Sequence, residues 1–181
     1  MGALVSIDFL GENYLKVMEL LLNGNYYLRE ISDETKLAPS SVHKIIQNLK
    51  KKGIIKEKWK KNRVFFEINY DSAIAREMIR TLFVNKILSS KSFKKLLRLK
   101  PIKVYLFGSA SRGTLTQYSD IDMAAFFTKE PNINRVVEIR MGFASEFIRK
   151  TDLFTLPNPS IIDEKSESIK NVEKGILLYG K

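Results

Sequence analysis

The chain of 181 residues is 44% hydrophobic and 28% charged, which is the composition of an ordinary globular protein. It has no cysteine, which excludes disulfides and thiolate metal sites, and one histidine, so any metal would be held mainly by carboxylates. Because its apolar runs are too short for a transmembrane helix and no signal-peptide pattern opens it, we expect a cytoplasmic protein with no membrane partner.

The net charge of +11 is concentrated in the first part of the chain. Residues 1–100 carry 20 Lys and Arg against 10 Asp and Glu, whereas residues 101–181 carry 11 against 10. This asymmetry indicates two modules, the first of which meets a polyanion, with nucleic acid as the leading candidate. A solvated basic surface is the alternative interpretation.

Residues 1–71 show three helical patterns followed by two extended segments. The patterns predict helices from Tyr14 to Leu22, Leu28 to Leu37 and Pro39 to Lys52, and strands from Ile54 to Trp59 and Arg63 to Asn69. The two strands form a hairpin with a basic tip. This order of elements resembles a winged helix-turn-helix domain. The resemblance implies that the third helix enters the major groove of duplex DNA and that the hairpin is the wing.

The third helix and the hairpin form a basic surface. Nine basic residues and one acid, Glu57, lie between Lys44 and Arg63. Gln and Asn can read adenine edges, and lysines neutralise phosphates. The candidate DNA contacts are Ser40, Ser41, Lys44, Gln47, Asn48, Lys51, Lys60, Lys61 and Arg63. Trp59 is expected to pin the hairpin to its domain, with stacking on nucleic acid as the alternative. Since paired half-sites multiply affinity, a homodimer is compatible with this interpretation.

Residues 72–100 read as a helical linker with eight basic residues and one acid. Residues 101–181 alternate extended and helical patterns, which indicates a small α/β domain. The predicted strands are Lys103 to Phe107, Asp120 to Phe127 and Asp152 to Leu156, and the predicted helices are Ser109 to Leu115, Ile133 to Arg149 and Ser160 to Glu173. The expected fold class is therefore α+β with two domains: a winged helix-turn-helix at 1–71 and, after the linker, an α/β domain with a mixed sheet at 101–181.

Two aspartates at one-residue spacing follow a Gly-Ser turn after an apolar strand. Asp120 and Asp122 point to the same face, because side chains alternate along a strand, and they repel each other unless a cation lies between them. Magnesium suits carboxylate oxygens, and Asp152 is a plausible third ligand. The backbone amides at Gly108 and the hydroxyl of Ser109 can receive a triphosphate.

Residues 104–127 resemble the signature of the minimal nucleotidyltransferases within the DNA polymerase β-like superfamily. The matching residues are Gly108, Ser109, Arg112, Gly113, Ser119, Asp120 and Asp122. The resemblance implies transfer of a nucleoside monophosphate from a triphosphate, expected to be ATP, to a hydroxyl. It further implies that Asp120 and Asp122 bind two Mg²⁺ ions and that Asp152 completes the site and accepts the acceptor's proton. Gly108 and Ser109 would hold the phosphates, with Arg112, Gly113 and Ser119 in the same nucleotide site.

Three functional interpretations follow. The leading one is a DNA-binding nucleotidyltransferase, whose acceptor could be a partner protein, since the minimal family includes antitoxins that nucleotidylate a toxin partner. The alternative is a winged-helix transcription regulator whose nucleotidyltransferase domain binds nucleotide without turnover. A purely structural interaction protein would require the acids to be coincidental.

Overall fold

The computed structural model describes residues 11–158 and 167–180 of the chain. The chain forms two compact units, Met1–Met78 and Ile79–Lys181, and the division between them falls within one helix. Across the described ranges, no helix combines the length and the apolar character that crossing a bilayer requires. The cytoplasmic location stays a prediction.

The first unit is a three-helix core followed by a hairpin. Its elements are α1 (Glu12–Leu21), α2 (Leu28–Thr35), α3 (Pro39–Lys51), β1 (Ile55–Lys60) and β2 (Arg63–Ile68). The helices present apolar side chains on one face, and the fully buried ones include Val17, Met18, Ile31, Val42, Ile46 and Leu49. β1 and β2 pair antiparallel. This arrangement confirms the winged helix-turn-helix fold predicted from the sequence.

The turn between α2 and α3 is made without glycine. Lys36 takes the left-handed conformation, with φ at 59°, where glycine is the usual residue. The hydroxyl of Ser32 donates to the carbonyl of Leu37 at 2.6 Å and thereby fixes the chain after this turn. Pro39 then occupies the first turn of α3, where its missing amide has no intrahelical partner to lose.

The hairpin turns through two residues, Lys61 and Asn62, whose φ angles are 47° and 59°. A turn with both central residues in the left-handed region matches the twist of the paired strands. The flanking residues Lys60 and Arg63 form the last pair of the ladder. The sequence placed Lys60 in the turn between the two strands, whereas in the structure it is the last residue of β1.

The second unit is a four-stranded sheet with helices. Helix α4 (Ala73–Ser89) spans the division between the units, and the remaining elements are α5 (Lys91–Arg98), β3 (Lys103–Phe107), α6 (Gly108–Arg112), β4 (Ile121–Phe127), α7 (Ile133–Phe147), β5 (Thr151–Pro157), α8 (Glu167–Glu173) and β6 (Ile176–Tyr179). The strand order is β5-β4-β3-β6. β4 and β5 run parallel, whereas β3 is antiparallel to β4 and β6, which confirms the predicted mixed sheet. The first residues of the predicted last helix, 160–166, lie outside the described residues.

Both faces of the sheet are buried at its centre. Leu106, Met123 and Ala125 on one face and Phe126 on the other are completely inaccessible to solvent. On the second face, the ring of Phe126 meets Tyr105 edge-on at 6.0 Å, and Val172 of α8 packs against both. This packing holds β3 and β4 in a fixed register beneath the candidate site.

Helix α5 is attached to α7 by a carboxylate. Glu146 accepts hydrogen bonds from the backbone amides of Lys91 at 3.0 Å and Ser92 at 2.8 Å, and from the Ser92 hydroxyl at 2.5 Å. A Cβ at Gly142, one turn earlier in α7, would overlap that hydroxyl, so the glycine permits the close approach. α5 lies within the segment that the sequence assigned to a linker, and the domain boundaries at 71 and 100 stay predictions.

Candidate functional site

Two neighbouring strands bring the three predicted acids to one edge of the sheet. Asp120 directly precedes β4, Asp122 lies in β4, and Asp152 lies in β5. β4 and β5 are in parallel register with Asp122 opposite Asp152, so these two side chains share a face at the same level. The side chains of Asp120 and Asp152 are 40% and 33% exposed, which leaves the group open to a ligand from solvent.

A lysine ammonium stands between two of these acids. The Nζ atom of Lys150 lies 2.9 Å from Oδ2 of Asp120 and 3.0 Å from Oδ2 of Asp152. The hydrogen bonds that Lys150 donates to Asp120 and Asp152, together with the negative charges of both, raise the pKa of Lys150 above its ordinary value. Sequence reasoning missed this residue. The Lys-x-Asp spacing of Lys150 and Asp152, which places both on one face of an extended chain, is the signal that could have found it.

Asp122 is the acid with the least favourable surroundings for a negative charge. Partial burial raises its pKa, and the charges of Asp152 and then Asp120 raise it further, while Lys150 and Arg112 act in the opposite direction. A carboxylate in this position gains from any cation placed beside it.

The Gly108 backbone lies directly against Asp122. Gly108 has φ at +70°, and a Cβ built on it would lie 3.1 Å from Cγ of Asp122 and would overlap Oδ2. Phe107 at the end of β3 pairs with Asp122, which explains this proximity. Ser109 follows in the first turn of α6, and the hydroxyl of Ser111 donates to the Gly108 carbonyl at 2.9 Å.

The other residues of the signature shape the loop that leads to the acids. Gly113 ends α6 with φ at +70°, while Arg112 is exposed and acts electrostatically on Asp122. The Ser119 hydroxyl accepts from the backbone amide of Thr116 at 2.9 Å and lies 3.1 Å from the Thr116 hydroxyl, so it is engaged within the loop.

A second missed residue, Arg149, fastens this loop from the side of β5. Its buried guanidinium donates to the carbonyl of Thr116 and, at 3.3 Å, to that of Ser119. The amide of Ile121 donates to the carbonyl of Lys150 at 3.0 Å. The chain before β4 is therefore held to the chain before β5 at the level of the acids.

The acids fit a divalent metal in chemistry but are not arranged as a ready-made metal site. In the described part of the chain, no three acidic or histidine side chains converge in the way that a metal ion requires. Magnesium prefers carboxylate oxygens, which Asp120, Asp122 and Asp152 can supply. It also keeps coordination positions open for water or phosphate. Since Lys150 has an exposed side chain, its ammonium can leave the space between Asp120 and Asp152 without rearrangement of the backbone.

A cleft of about 260 Å³ lies at the opposite end of β4 and β5. It is lined by Phe127, Thr128, Glu130, Pro131, Thr155, Leu156 and Pro157. It is separated from the acids by the length of both strands, and Glu130 is the one charged residue in its lining. We therefore take the acids, and not this cleft, as the candidate catalytic site.

The polar face of α3 is open to solvent. Val42, Ile45, Ile46 and Leu49 are buried, which leaves the opposite face outward. Of the predicted DNA contacts on this helix, Ser40, Lys44, Gln47 and Lys51 are exposed and Ser41 and Asn48 are half-buried. The neighbouring Lys50 is ion-paired with Glu57 at 2.7 Å.

The wing exposes its basic tip and its tryptophan. Lys60, Lys61 and Arg63 are exposed, and the guanidinium of Arg63 lies 5.2 Å from the centre of the Tyr27 ring. Trp59 is 73% exposed, so the expectation that it pins the hairpin to its domain is wrong. The reason is that only Ile55, at the start of β1, is covered, and the rest of the strand extends beyond the helical core.

Comparison with known proteins gives a family match for each unit. Residues 85–181 match the family described as Polymerase beta, Nucleotidyltransferase, and residues 19–56 match that described as Winged helix-turn-helix DNA-binding. No curated protein gave a match.

Several solved structures are similar to parts of the chain. A toxin-antitoxin crystallised with AMP-PNP is similar over 54% of this chain and 73% of its own, with 27% identity and a TM-score of 0.41. A putative nucleotidyltransferase from Sulfolobus solfataricus is similar over 59% of this chain and 87% of its own, with 24% identity and a TM-score of 0.32. HlyU from Vibrio cholerae is similar over 41% of this chain and 78% of its own, with 22% identity and a TM-score of 0.36.

Proposed function

The chain belongs to the Polymerase beta nucleotidyltransferase family, and we propose that it is a DNA-binding enzyme that transfers a nucleoside monophosphate from a nucleoside triphosphate to a hydroxyl acceptor. The observation that carries this proposal is the register of β4 and β5, which sets Asp122 beside Asp152 while Gly108 lies against Asp122. The carboxylates and the Gly108 backbone therefore lie together at one edge of the sheet.

The proposed metal is Mg²⁺, in two ions held by Asp120, Asp122 and Asp152. When bound, these ions would supply charge stabilisation to the attacking and leaving oxygens. Burial, and after it the charges of Asp152 and Asp120, raise the pKa of Asp122, and a cation shared by these acids would relieve the unfavourable negative charge.

The chain's own residues have distinct parts in the proposed transfer. The amides near Gly108 and the Ser109 hydroxyl bind the β- and γ-phosphates, and Arg112 adds positive charge beside them. The Asp152 carboxylate accepts the proton of the acceptor hydroxyl. The acceptor oxygen forms a bond to the α-phosphorus, the bond from that phosphorus to the bridging oxygen breaks, and pyrophosphate leaves. ATP is the proposed donor.

The first unit is proposed to bind duplex DNA. The open polar face of α3, with Lys44, Gln47 and Lys51, supports insertion into a major groove, and the exposed Lys60 and Lys61 support contact of the wing with phosphates. The nine basic residues that lie with one acid between Lys44 and Arg63 supply local attraction for the phosphates of the DNA backbone.

A second candidate function is nucleotide sensing without turnover. The ammonium of Lys150 between Asp120 and Asp152 favours it, because a site whose negative charge is already partly compensated can bind nucleotide with less need of a metal. In that case nucleotide would alter DNA binding, and Asp120→Ala or Asp122→Ala would abolish that effect while leaving DNA affinity intact.

Transfer of label from a triphosphate separates these functions. The full-length protein is incubated with α-labelled ATP, Mg²⁺ and, in parallel, DNA, RNA or candidate partner proteins, and labelled acceptors are resolved on gels. We expect a labelled acceptor with the wild-type protein and with Glu173→Gln, an exposed acid of the same unit, but none with Asp122→Asn. Bound nucleotide without any labelled acceptor would favour sensing. The class of acceptor that carries label decides between a polynucleotide and a protein hydroxyl, such as that of a toxin partner.

A further inference from the structure

The position of Lys150 is unusual because its ammonium fills the space that a cation would take between two candidate metal ligands. It forms ion pairs with Asp120 at 2.9 Å and Asp152 at 3.0 Å, one from each strand of the acidic edge. Three carboxylates thus share this edge with one close ammonium group, which compensates part of their mutual repulsion.

We propose that Lys150 is a displaceable internal counter-ion, which holds the acids together in the metal-free protein and competes with divalent metal for Asp120 and Asp152. This inference rests on the proposed function, since it assumes that these acids bind Mg²⁺. A magnesium ion takes carboxylate oxygens at about 2.1 Å, and an ammonium hydrogen-bonded to the same oxygens cannot remain between them.

The surroundings of Lys150 allow its side chain to leave while its backbone stays. The backbone carbonyl is fixed by the Ile121 amide at 3.0 Å. The side chain is 66% exposed, and it forms ion pairs with the candidate ligands Asp120 and Asp152. A long, solvent-exposed lysine side chain reorients at little cost, because exposed ion pairs are individually weak.

Arg149 and Arg112 do not serve in this way. The guanidinium of Arg149 is buried and bonded to the loop carbonyls of Thr116 and Ser119, so its movement would disturb the loop. Arg112 influences Asp122 by its charge alone. Lys150 is therefore the cation that metal binding would displace, and the metal concentration at which the site fills would depend on it.

Metal binding to the full-length protein tests this proposal directly. Binding of Mn²⁺, used as a paramagnetic substitute for Mg²⁺, is measured by electron paramagnetic resonance for wild type, Lys150→Met and Lys150→Arg. Lys129→Met, which removes an exposed lysine just beyond the other end of β4, is the control. We expect Lys150→Met to bind Mn²⁺ about fivefold more tightly, a modest factor because both ion pairs are solvent-exposed. Lys150→Arg and Lys129→Met should stay near the wild-type affinity.

Thermal unfolding distinguishes a counter-ion from an ordinary structural residue. In metal-chelated buffer, Lys150→Met should melt below wild type, because the acids then lack their cation, and saturating Mg²⁺ should remove that difference. A purely structural lysine would lower both melting temperatures equally, and that result would overturn the proposal.

The two hypotheses fail in different ways. Equal Mn²⁺ affinity in wild type and Lys150→Met, with label transfer still observed, would reject the counter-ion role and leave the proposed function standing. Absence of Mn²⁺ binding in every variant, together with absence of transfer, would reject both.

Discussion

At the scale of single residues, Gly108 answers two requirements at once. Its φ of +70° lies in the region that other residues enter only at a cost, and its α-carbon faces the Asp122 carboxylate at a distance that leaves no room for a Cβ. The first requirement concerns the stability of the turn, whereas the second concerns the position of a candidate metal ligand. A substitution here should therefore affect stability and chemistry to different degrees.

Gly108→Ala should reduce nucleotidyl transfer at least tenfold and destabilise the protein by about 1–2 kcal/mol, because the left-handed conformation becomes strained and Asp122 must move. Gly53→Ala is the matched control, since Gly53 has φ at +67° but nothing within 4 Å of its would-be Cβ. It should show the loss of stability without the loss of transfer. Thermal unfolding and label transfer measure the two effects, and equal activities in both variants would contradict the role given to Gly108.

Arg149→Lys should destabilise the second unit by about 1.5–3 kcal/mol, the usual range for lost hydrogen bonds to a charged group. A lysine ammonium at the end of a different stem does not reproduce the guanidinium contacts with Thr116 and Ser119. Hydrogen exchange of the amides in residues 116–121 should accelerate. Arg140→Lys, on the exposed side of α7, is the control and should leave both measurements unchanged.

At the scale of elements, the helices are positioned by polar caps as much as by apolar faces. The amide of Phe93 is capped by Ser90 at 3.0 Å, and those of Lys91 and Ser92 by Glu146 of α7. Burial by itself would raise the pKa of Glu146, but the hydrogen bonds from Ser92 and Lys91 outweigh it and lower the pKa. The attachment of α5 to α7 should accordingly depend on pH.

Glu146→Gln should lower stability by about 1 kcal/mol at neutral pH, as expected for a weakened helix cap. Because the folded pKa of Glu146 lies below its unfolded value, its contribution is complete above the unfolded pKa and disappears as the pH falls through the folded pKa. Denaturant unfolding at pH 7 and pH 3 should therefore show a difference from wild type at the higher pH that shrinks at the lower. Glu130→Gln should show no such change, and a difference independent of pH would contradict this account.

The wing is the second element with a separable effect. Lys60→Gln combined with Lys61→Gln should weaken binding to all duplex sequences and reduce the dependence of log affinity on log salt by about one unit for each lysine that contacts a phosphate. Fluorescence anisotropy over a salt series measures this slope. Lys174→Gln, an exposed lysine of the second unit, should leave it unchanged, and an unaltered slope in the double variant would remove the wing from the DNA interface.

Local patterns predicted most elements but not the contacts around the acids. Helix α3 and strand β4 follow from periodicity within each segment, which one sequence displays directly. The contacts of Lys150 with Asp120 and of Arg149 with Thr116 join residues 30 and 33 positions apart, so they depend on how strands pair. The prediction that Trp59 pins the hairpin to its domain is wrong for a related reason, because periodicity does not reveal how far a hairpin extends beyond the helical core.

At the scale of the whole molecule, the candidate chemistry and the candidate DNA contacts lie in different units. The acids, Gly108 and Lys150 belong to residues 79–181, whereas α3 and the wing belong to residues 1–78. The net charge does not follow this division, because residues 1–78 carry 13 Lys and Arg against 10 Asp and Glu, whereas residues 79–181 carry 18 against 10. Each activity can thus be removed by substitutions that leave the other unit untouched.

Asp122→Asn in the full-length protein should abolish transfer while DNA affinity stays within about twofold of wild type, because Asp122 and the proposed DNA contacts belong to different compact units. The Lys60 and Lys61 double variant should show the converse, with weakened DNA binding and normal transfer in the absence of DNA. Electrophoretic mobility shifts and label transfer on the same preparations provide both measurements. Loss of both activities in either variant would indicate that the units are coupled.

Homodimer formation stays a prediction, which analytical ultracentrifugation would settle.

The outward position of Trp59 has a practical consequence for such measurements. It is the single tryptophan of the chain, and its indole is 73% exposed on the hairpin. Selectively excited indole emission therefore reports from one place, and that place adjoins the basic tip. Arrival of a nucleic acid beside it should quench or shift the emission without any attached dye, while occupancy of the acidic edge in the other unit would be silent unless the two communicate. Trp59 is thus an intrinsic fluorophore of the first unit. Titrating ligands of the second unit while following its emission would show whether their binding affects the first unit.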